Sequence, residues 1–213
     1  SKEFAKCFFY RGLVNYDKEN YQESEKWYLQ SMSMYEKVLG KENRFYANCL
    51  RNLSNVYFDT GNYEKSEALN LEELSIREKT VGKTDPEYFS SVNNLASLYV
   101  TIGNYSKAES LNIETKLFCE KTLGKKHPQY INSLTNLAIL YFNIANYELA
   151  EPLFNESLAL REEIYGKEHP DYAASLNNLG NLYMTMGNFI VAEPLFSEAK
   201  KINGKILGKQ HSD

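Results

Sequence analysis

The chain has 213 residues, of which 43% are hydrophobic, and a formal net charge of −4. No apolar run approaches the ~18 residues that would span a membrane. Lys and Arg are scattered rather than clustered, which argues against nucleic-acid binding as the main task. Three cysteines, with no short-range pairing, fit a reduced, cytoplasmic setting.

One unit recurs along the whole chain. Gly40, Gly82, Gly124, Gly166 and Gly208 are spaced by 42 residues, as are Tyr21, Tyr63, Tyr105, Tyr147 and Phe189. Self-similarity at this period means a solenoid, in which each unit buries its apolar face against its neighbours. The spacing divides the chain into one array of five repeats, at about 1–43, 44–85, 86–127, 128–169 and 170–211.

The first repeat departs from the pattern. Glu19 stands where later repeats have Gly61 or Gly103, and Arg11 and Asn15 fall where Leu53 and Tyr57 lie one repeat on. A one-residue deletion in the turn would instead align Tyr16 with Tyr57 and Arg11 with Asn52, and both registers stay open. Trp27, on the second helix of this repeat, reads as core. Cys7 and Cys49 sit at near-equivalent places on successive repeats, too far apart for a disulfide if they lie on packed helices.

Repeats two to five each read as helix A, a short turn and helix B. In the fifth, Pro170 opens helix A, and Tyr172, Leu176, Leu179, Gly180 and Tyr183 fall on one face. Met186-Gly187-Asn188-Phe189 breaks the pattern as a turn. Helix B follows through Ala192, Leu195, Phe196, Ala199 and Ile202 and stops near Gly208. Ala96, Ala138 and Gly180 in helix A, with Ala108, Ala150 and Ala192 in helix B, let the two helices approach closely. Pro152 and Pro194 are expected in the first turn of helix B. Glu72-Glu73 and Glu162-Glu163 read as solvated faces. His127, His169 and His211 recur in equivalent linkers, too far apart to share one metal ion. The start at Ser1 without Met, and the end where a sixth repeat would begin, read as a piece of a longer protein.

Asn177-Asn178-Leu179-Gly180-Asn181-Leu182-Tyr183, with Gly187-Asn188-Phe189 and Ala192-Glu193-Pro194-Leu195-Phe196, resembles the tetratricopeptide repeat. The 42-residue period and the linker from Leu123 to Pro128 resemble the kinesin light chain subclass. The resemblance covers essentially residues 1 to 211. It implies an all-α, right-handed superhelical solenoid of five helix-turn-helix repeats, with helix A lining the concave groove.

Each helix A carries a second stripe opposite its packed face. Asn48, Arg51, Asn52 and Asn55 form it in repeat two, and Asn93 and Asn94 belong to it in repeat three. Asn132 and Asn136 follow in repeat four, and Asn177, Asn178 and Asn181 in repeat five. Asn52, Asn94, Asn136 and Asn178 make a ladder at the repeat period. Asparagine is a poor helix former, so four in register at mid-helix need a reason. A carboxamide offers both donor and acceptor to a peptide backbone; the alternative is that the ladder hydrogen-bonds between helices and stiffens the array. Arg51, with Lys6 and Arg11, gives a modest positive end that does not match a carboxylate clamp. Phe58, Phe142 and Met184 lie one step beyond the stripe and serve either as pockets or as packing.

These eleven stripe residues are the expected peptide-binding surface of a non-catalytic interaction module. Its partner would be another protein or a segment of the parent chain, with no cofactor, metal, nucleic acid or membrane. No nucleophile motif, phosphate loop or zinc spacing is present. Two alternatives stand beside it. One is a regulatory array of a larger signalling or caspase-like protease protein. The other is an architectural spacer that self-associates through its repeat ends, where Ile202, Ile206 and Leu207 form no clear polar cap.

Overall fold

The computed structural model describes residues 1–210, and side chains to Lys205. Every regular element among them is helical: α1 (Lys2–Asp17), α2 (Tyr21–Leu39), α3 (Arg44–Asp59), α4 (Tyr63–Thr80), α5 (Pro86–Thr101), α6 (Tyr105–Thr122), α7 (Pro128–Asn143), α8 (Tyr147–Tyr165), α9 (Pro170–Thr185) and α10 (Phe189–Gln210). Odd-numbered helices are the A helices, and even-numbered ones the B helices. The chain divides into two compact units, Ser1–Ala108 and from Glu109 onward. His211 lies outside the described residues, as do the side chains of Ile206 and Leu207.

The boundaries of these helices have local causes. Asn43, Asp85, His127 and His169 cap α3, α5, α7 and α9, each accepting a backbone N–H two residues on. The two histidines accept through Nδ1, a capping role that the sequence did not suggest. Pro86, Pro128 and Pro170 follow at the first helical position, where no intrahelical N–H is needed. Between A and B helices the chain passes through a left-handed residue at Gly61, Gly103 and Gly187. Glu19 and Ala145 take the same conformation, with φ of 58° and 59°.

This turn settles the register of the first repeat. Asn20 N–H donates to Asn15 O at 2.8 Å, as Asn62 does to Tyr57 O and Asn104 to Tyr99 O. No residue is deleted, and Asn15 and Arg11 occupy the columns of Tyr57 and Leu53. The small-residue column then reads Gly12, Ser54, Ala96, Ala138 and Gly180, all buried. In unit one it faces Tyr28, since a Cβ on Gly12 would lie 2.6 Å from that ring. In unit two a Cβ on Gly180 would lie 2.8 Å from Phe196.

Three expectations need correction. Pro152 and Pro194 lie one turn further into α8 and α10, because these helices already start at Tyr147 and Phe189; both prolines are exposed. Glu73 is fully buried rather than solvated, whereas Glu162 and Glu163 are exposed. Ile202 is 6% exposed and packs with Tyr172, Ala173 and Leu176, so it is core rather than an open end. Cys7, Cys49 and Cys119 are free thiols. Trp27 is half-buried, with Phe8 at 5.6 Å and the Arg11 guanidinium 4.3 Å above its ring.

Candidate interaction surface

In unit one the stripe rises from α3 and α5, and much of it is already held. Arg51 donates to Glu73 Oε1 (2.9 Å), Glu87 O (3.0 Å) and Ser91 Oγ (3.0 Å). Arg77, fully buried on α4, donates to the same Glu73 oxygen and to Glu87, and also to Asn48 Oδ1. The two guanidiniums and Ser91 all converge on Glu73 Oε1, which offsets the cost of burying this carboxylate, while its Oε2 is buried without a hydrogen-bond partner. Asn52 donates to Asn48 O (2.8 Å) and accepts from Tyr28 (3.4 Å). Asn55, Asn93 and Asn94 are half-buried.

Unit two repeats this arrangement with less charge. Arg161, 8% exposed on α8, donates to Asn132 Oδ1 (3.2 Å) and to Ser175. Burial lowers the pKa of this guanidinium, against the opposing pull of Asp171. Where Arg51 and Glu73 meet in unit one, Thr135 and Ser157 share a hydrogen bond of 2.8 Å. Asn136, Asn177 and Asn178 are half-buried, while Asn132 and Asn181 are exposed. Among the described residues, the side chains of Asn94, Asn177 and Asn178 make no hydrogen bond to the protein.

Successive repeats are joined by a second polar ladder. Tyr57 and Tyr99 in unit one donate to Glu25 (2.6 Å) and Glu67 (2.9 Å). Tyr141 and Tyr183 in unit two donate to Glu109 (2.8 Å) and Glu151 (2.6 Å). Burial, then the acceptor carboxylate, pushes the Tyr57 and Tyr141 phenols up to about 12. The glutamates recur at the repeat period, a signal present in the sequence that takes on meaning only once the facing tyrosines are in place.

The remaining candidates divide. Phe58 and Phe142 pack edge-on or tilted against Tyr63 and Tyr147, whereas Met184 is 47% exposed. Arg11 lies over Trp27, so it is not a free groove cation. Among the described residues no three His, Cys, Asp or Glu side chains could hold a metal ion. No helix there is long and apolar enough to cross a membrane.

A family model for the tetratricopeptide repeat matches residues 8–79, 52–114, 88–163 and 136–205. The chain belongs to the tetratricopeptide repeat family. Its repeats recur every 42 residues. The crystal structure of a Podosopora anserina putative kinesin light chain with nearly identical TPR-like repeats has a TM-score of 0.76 at 22% identity. That match covers 97% of this chain and 98% of that one. BtubC (BKLC) from P. vanneervenii has a TM-score of 0.74 at 20% identity, over 92% of this chain and 78% of that one. A Rap protein complexed with competence and sporulation factor has a TM-score of 0.70 at 15% identity, over 92% of this chain and 53% of that one. At these identities the likeness is one of fold. A search of curated protein sequences finds no match to the chain. The repeat family supports a protein-interaction module.

Proposed function

We propose that the chain is a non-catalytic module that binds a peptide segment of another protein, or of its own parent chain, along the asparagine stripe of its A helices. One observation carries this reading. Asn94 and Asn178 hold mid-helix positions that asparagine disfavours, and make no hydrogen bond within the protein. Asn48, Asn52 and Asn132 have such bonds and so have a structural reason to be there. A half-buried carboxamide with both functions open can take one backbone C=O and one N–H of an extended chain. Two fold relatives, the Rap protein with competence and sporulation factor and the Rap conjugation gene regulator with the Phr* peptide, were solved as complexes. They lend this reading the weight of a shared fold and no more.

A random-peptide phage library tests it. Selection on the wild-type chain should enrich peptides, and their synthetic forms should bind Asn94→Ala/Asn178→Ala about tenfold more weakly, at unchanged helical signal. No enrichment, or equal binding by the double variant, overturns the reading.

A further inference from the structure

Where the first two repeats meet, aromatic residues stand in four columns that are mostly polar in later repeats. Phe9 holds the column of Arg51, Asn93, Thr135 and Asn177, and Tyr10 that of the asparagine ladder. Tyr35 holds the column of Arg77 and Arg161, and Phe45 that of Glu87, Gln129 and Asp171. The fold of unit one brings these four rings together. With Lys6 and Asn48 they line a cavity of about 120 Å³. Tyr35 and Phe45 stack with centroids 5.3 Å apart. Tyr35 is buried at 3% exposure, whereas Tyr10 is 52% exposed. Lys2 Nζ lies 4.4 Å from the Phe45 ring centre, and Lys6 Nζ 5.9 Å from that of Tyr10. Among the described residues neither lysine has a carboxylate partner.

We propose that this cavity is a specificity pocket that takes one leucine, methionine or phenylalanine side chain of a partner segment, with a neighbouring carboxylate held by Lys2 and Lys6. It rests on the peptide-binding reading above and names what that surface selects in the first repeats. Size sets the side chain: an apolar cavity of about 150 Å³ holds one benzene, so this one suits a phenyl or isobutyl group and not an indole. Charge sets the neighbour. Aromatic walls alone would also invite an alkylammonium group, but the chain's own ammonium groups already sit by the Phe45 and Tyr10 rings. A cationic ligand would meet like charge there, and a carboxylate meets two unpaired cations.

The test is an NMR titration of the whole chain with N-acetyl-leucine, N-acetyl-leucinamide, N-acetyl-alanine and tetramethylammonium as probes. N-acetyl-leucine should shift resonances of Phe9, Tyr10, Phe45 and Asn48 and saturate in the millimolar range. The amide, which lacks the carboxylate, should bind several-fold more weakly, and N-acetyl-alanine about tenfold or more weakly. Tyr10→Asn installs the residue of the later repeats and should abolish the shifts with the helical signal intact. Lys6→Gln should reduce N-acetyl-leucine to the affinity of the amide. Equal shifts in Tyr10→Asn, shifts elsewhere, or preference for tetramethylammonium overturn the pocket. Peptides from the library separate this failure from that of the wider reading. If they bind Tyr10→Asn unchanged but lose binding on Asn94→Ala/Asn178→Ala, the pocket fails and the stripe stands. If the probe fills the pocket while no peptide is enriched, the stripe fails and the pocket stands.

Discussion

Gly12 and Gly180 occupy the same column, yet alanine should act oppositely at the two. In a helix interior Gly→Ala gains about 1 kcal/mol of backbone preference. Against this stands the contact with the facing ring, and overpacking typically costs about 1–3 kcal/mol. At Gly12 the new Cβ would lie 2.6 Å from Cδ1 and Cε1 of Tyr28. That ring is completely buried, and its hydroxyl is bonded to Asn52, so it has nowhere to go. At Gly180 the nearest atoms are Cε1 and Cζ of Phe196, the far end of a half-buried ring. Unit two also carries Ala138 and Phe154 in these columns one repeat earlier, so the combination is one this fold accepts. Gly12→Ala should therefore lose up to about 2 kcal/mol net, and Gly180→Ala should be neutral or gain up to about 1 kcal/mol. For a chain of this size each kcal/mol moves Tm by about 2–4 °C. Thermal unfolding followed by circular dichroism reads the whole array, and the single tryptophan, Trp27 on α2, reads the first repeat. A loss at Gly180→Ala as large as at Gly12→Ala would refute the claim that room for the facing ring decides the sign.

Other perturbations probe the polar interior. Arg77→Met removes one of the two guanidiniums on the buried Glu73 and should cost about 3 kcal/mol in denaturant unfolding. Arg51→Thr with Glu73→Ser installs the hydroxyl pair of unit two and should cost clearly less, because Arg161 keeps its place there without a carboxylate at that column. In the inter-repeat ladder, a double-mutant cycle of Tyr141→Phe and Glu109→Gln should give a coupling of about 1 kcal/mol, and none at all would reduce the ladder to coincidence. The ladder also sets an alkaline limit. The Tyr57 and Tyr141 phenols are held up to about 12 in the fold, whereas an unfolded chain ionises near ~10. The fold keeps the proton that the unfolded chain loses, so this stability is complete below ~10 and is lost as pH rises towards about 12. Tyrosinate absorbance should rise together with loss of helix in that window; ionisation of every tyrosine near ~10 with the helices intact would contradict it.

The helical architecture was legible because it rests on single-residue columns. A glycine, an alanine or a tyrosine every 42 residues announces itself without its partner. The polar interior was not legible, because its meaning lies in pairs whose members change together. Glu73 looked like half of an exposed Glu-Glu step, and only Arg51 and Arg77, reaching it from α3 and from its own helix, explain its burial. The same holds for Glu42–Lys79 in unit one and Lys126–Glu163 in unit two, where one column pair appears with its charges exchanged. The left-handed turn at Glu19 was obscured for another reason. A glutamate there carries none of the expected glycine signal, yet the hydrogen-bonded turn holds it at φ 58°.

Pairing also divides the asparagine stripe into two kinds of position. Asn48 and Asn132 occur in the repeats whose B helix supplies a buried arginine, Arg77 or Arg161, and each accepts from it. Repeat three has Ser90 and Cys119 in these columns and repeat five has Ala174 and Asn203, so asparagine and arginine come and go together. The ladder column behaves differently, keeping Asn52, Asn94, Asn136 and Asn178 whatever the B helix carries. Asn48→Ala should then leave part of a fully buried guanidinium unpaired and cost about 1–3 kcal/mol. Asn178→Ala removes no internal bond and gains helix preference, so it should hold or raise Tm by a degree or two. Equal losses at both positions would mean that the ladder, like Asn48, is held for the fold, and the case for a peptide along it would lose its main support.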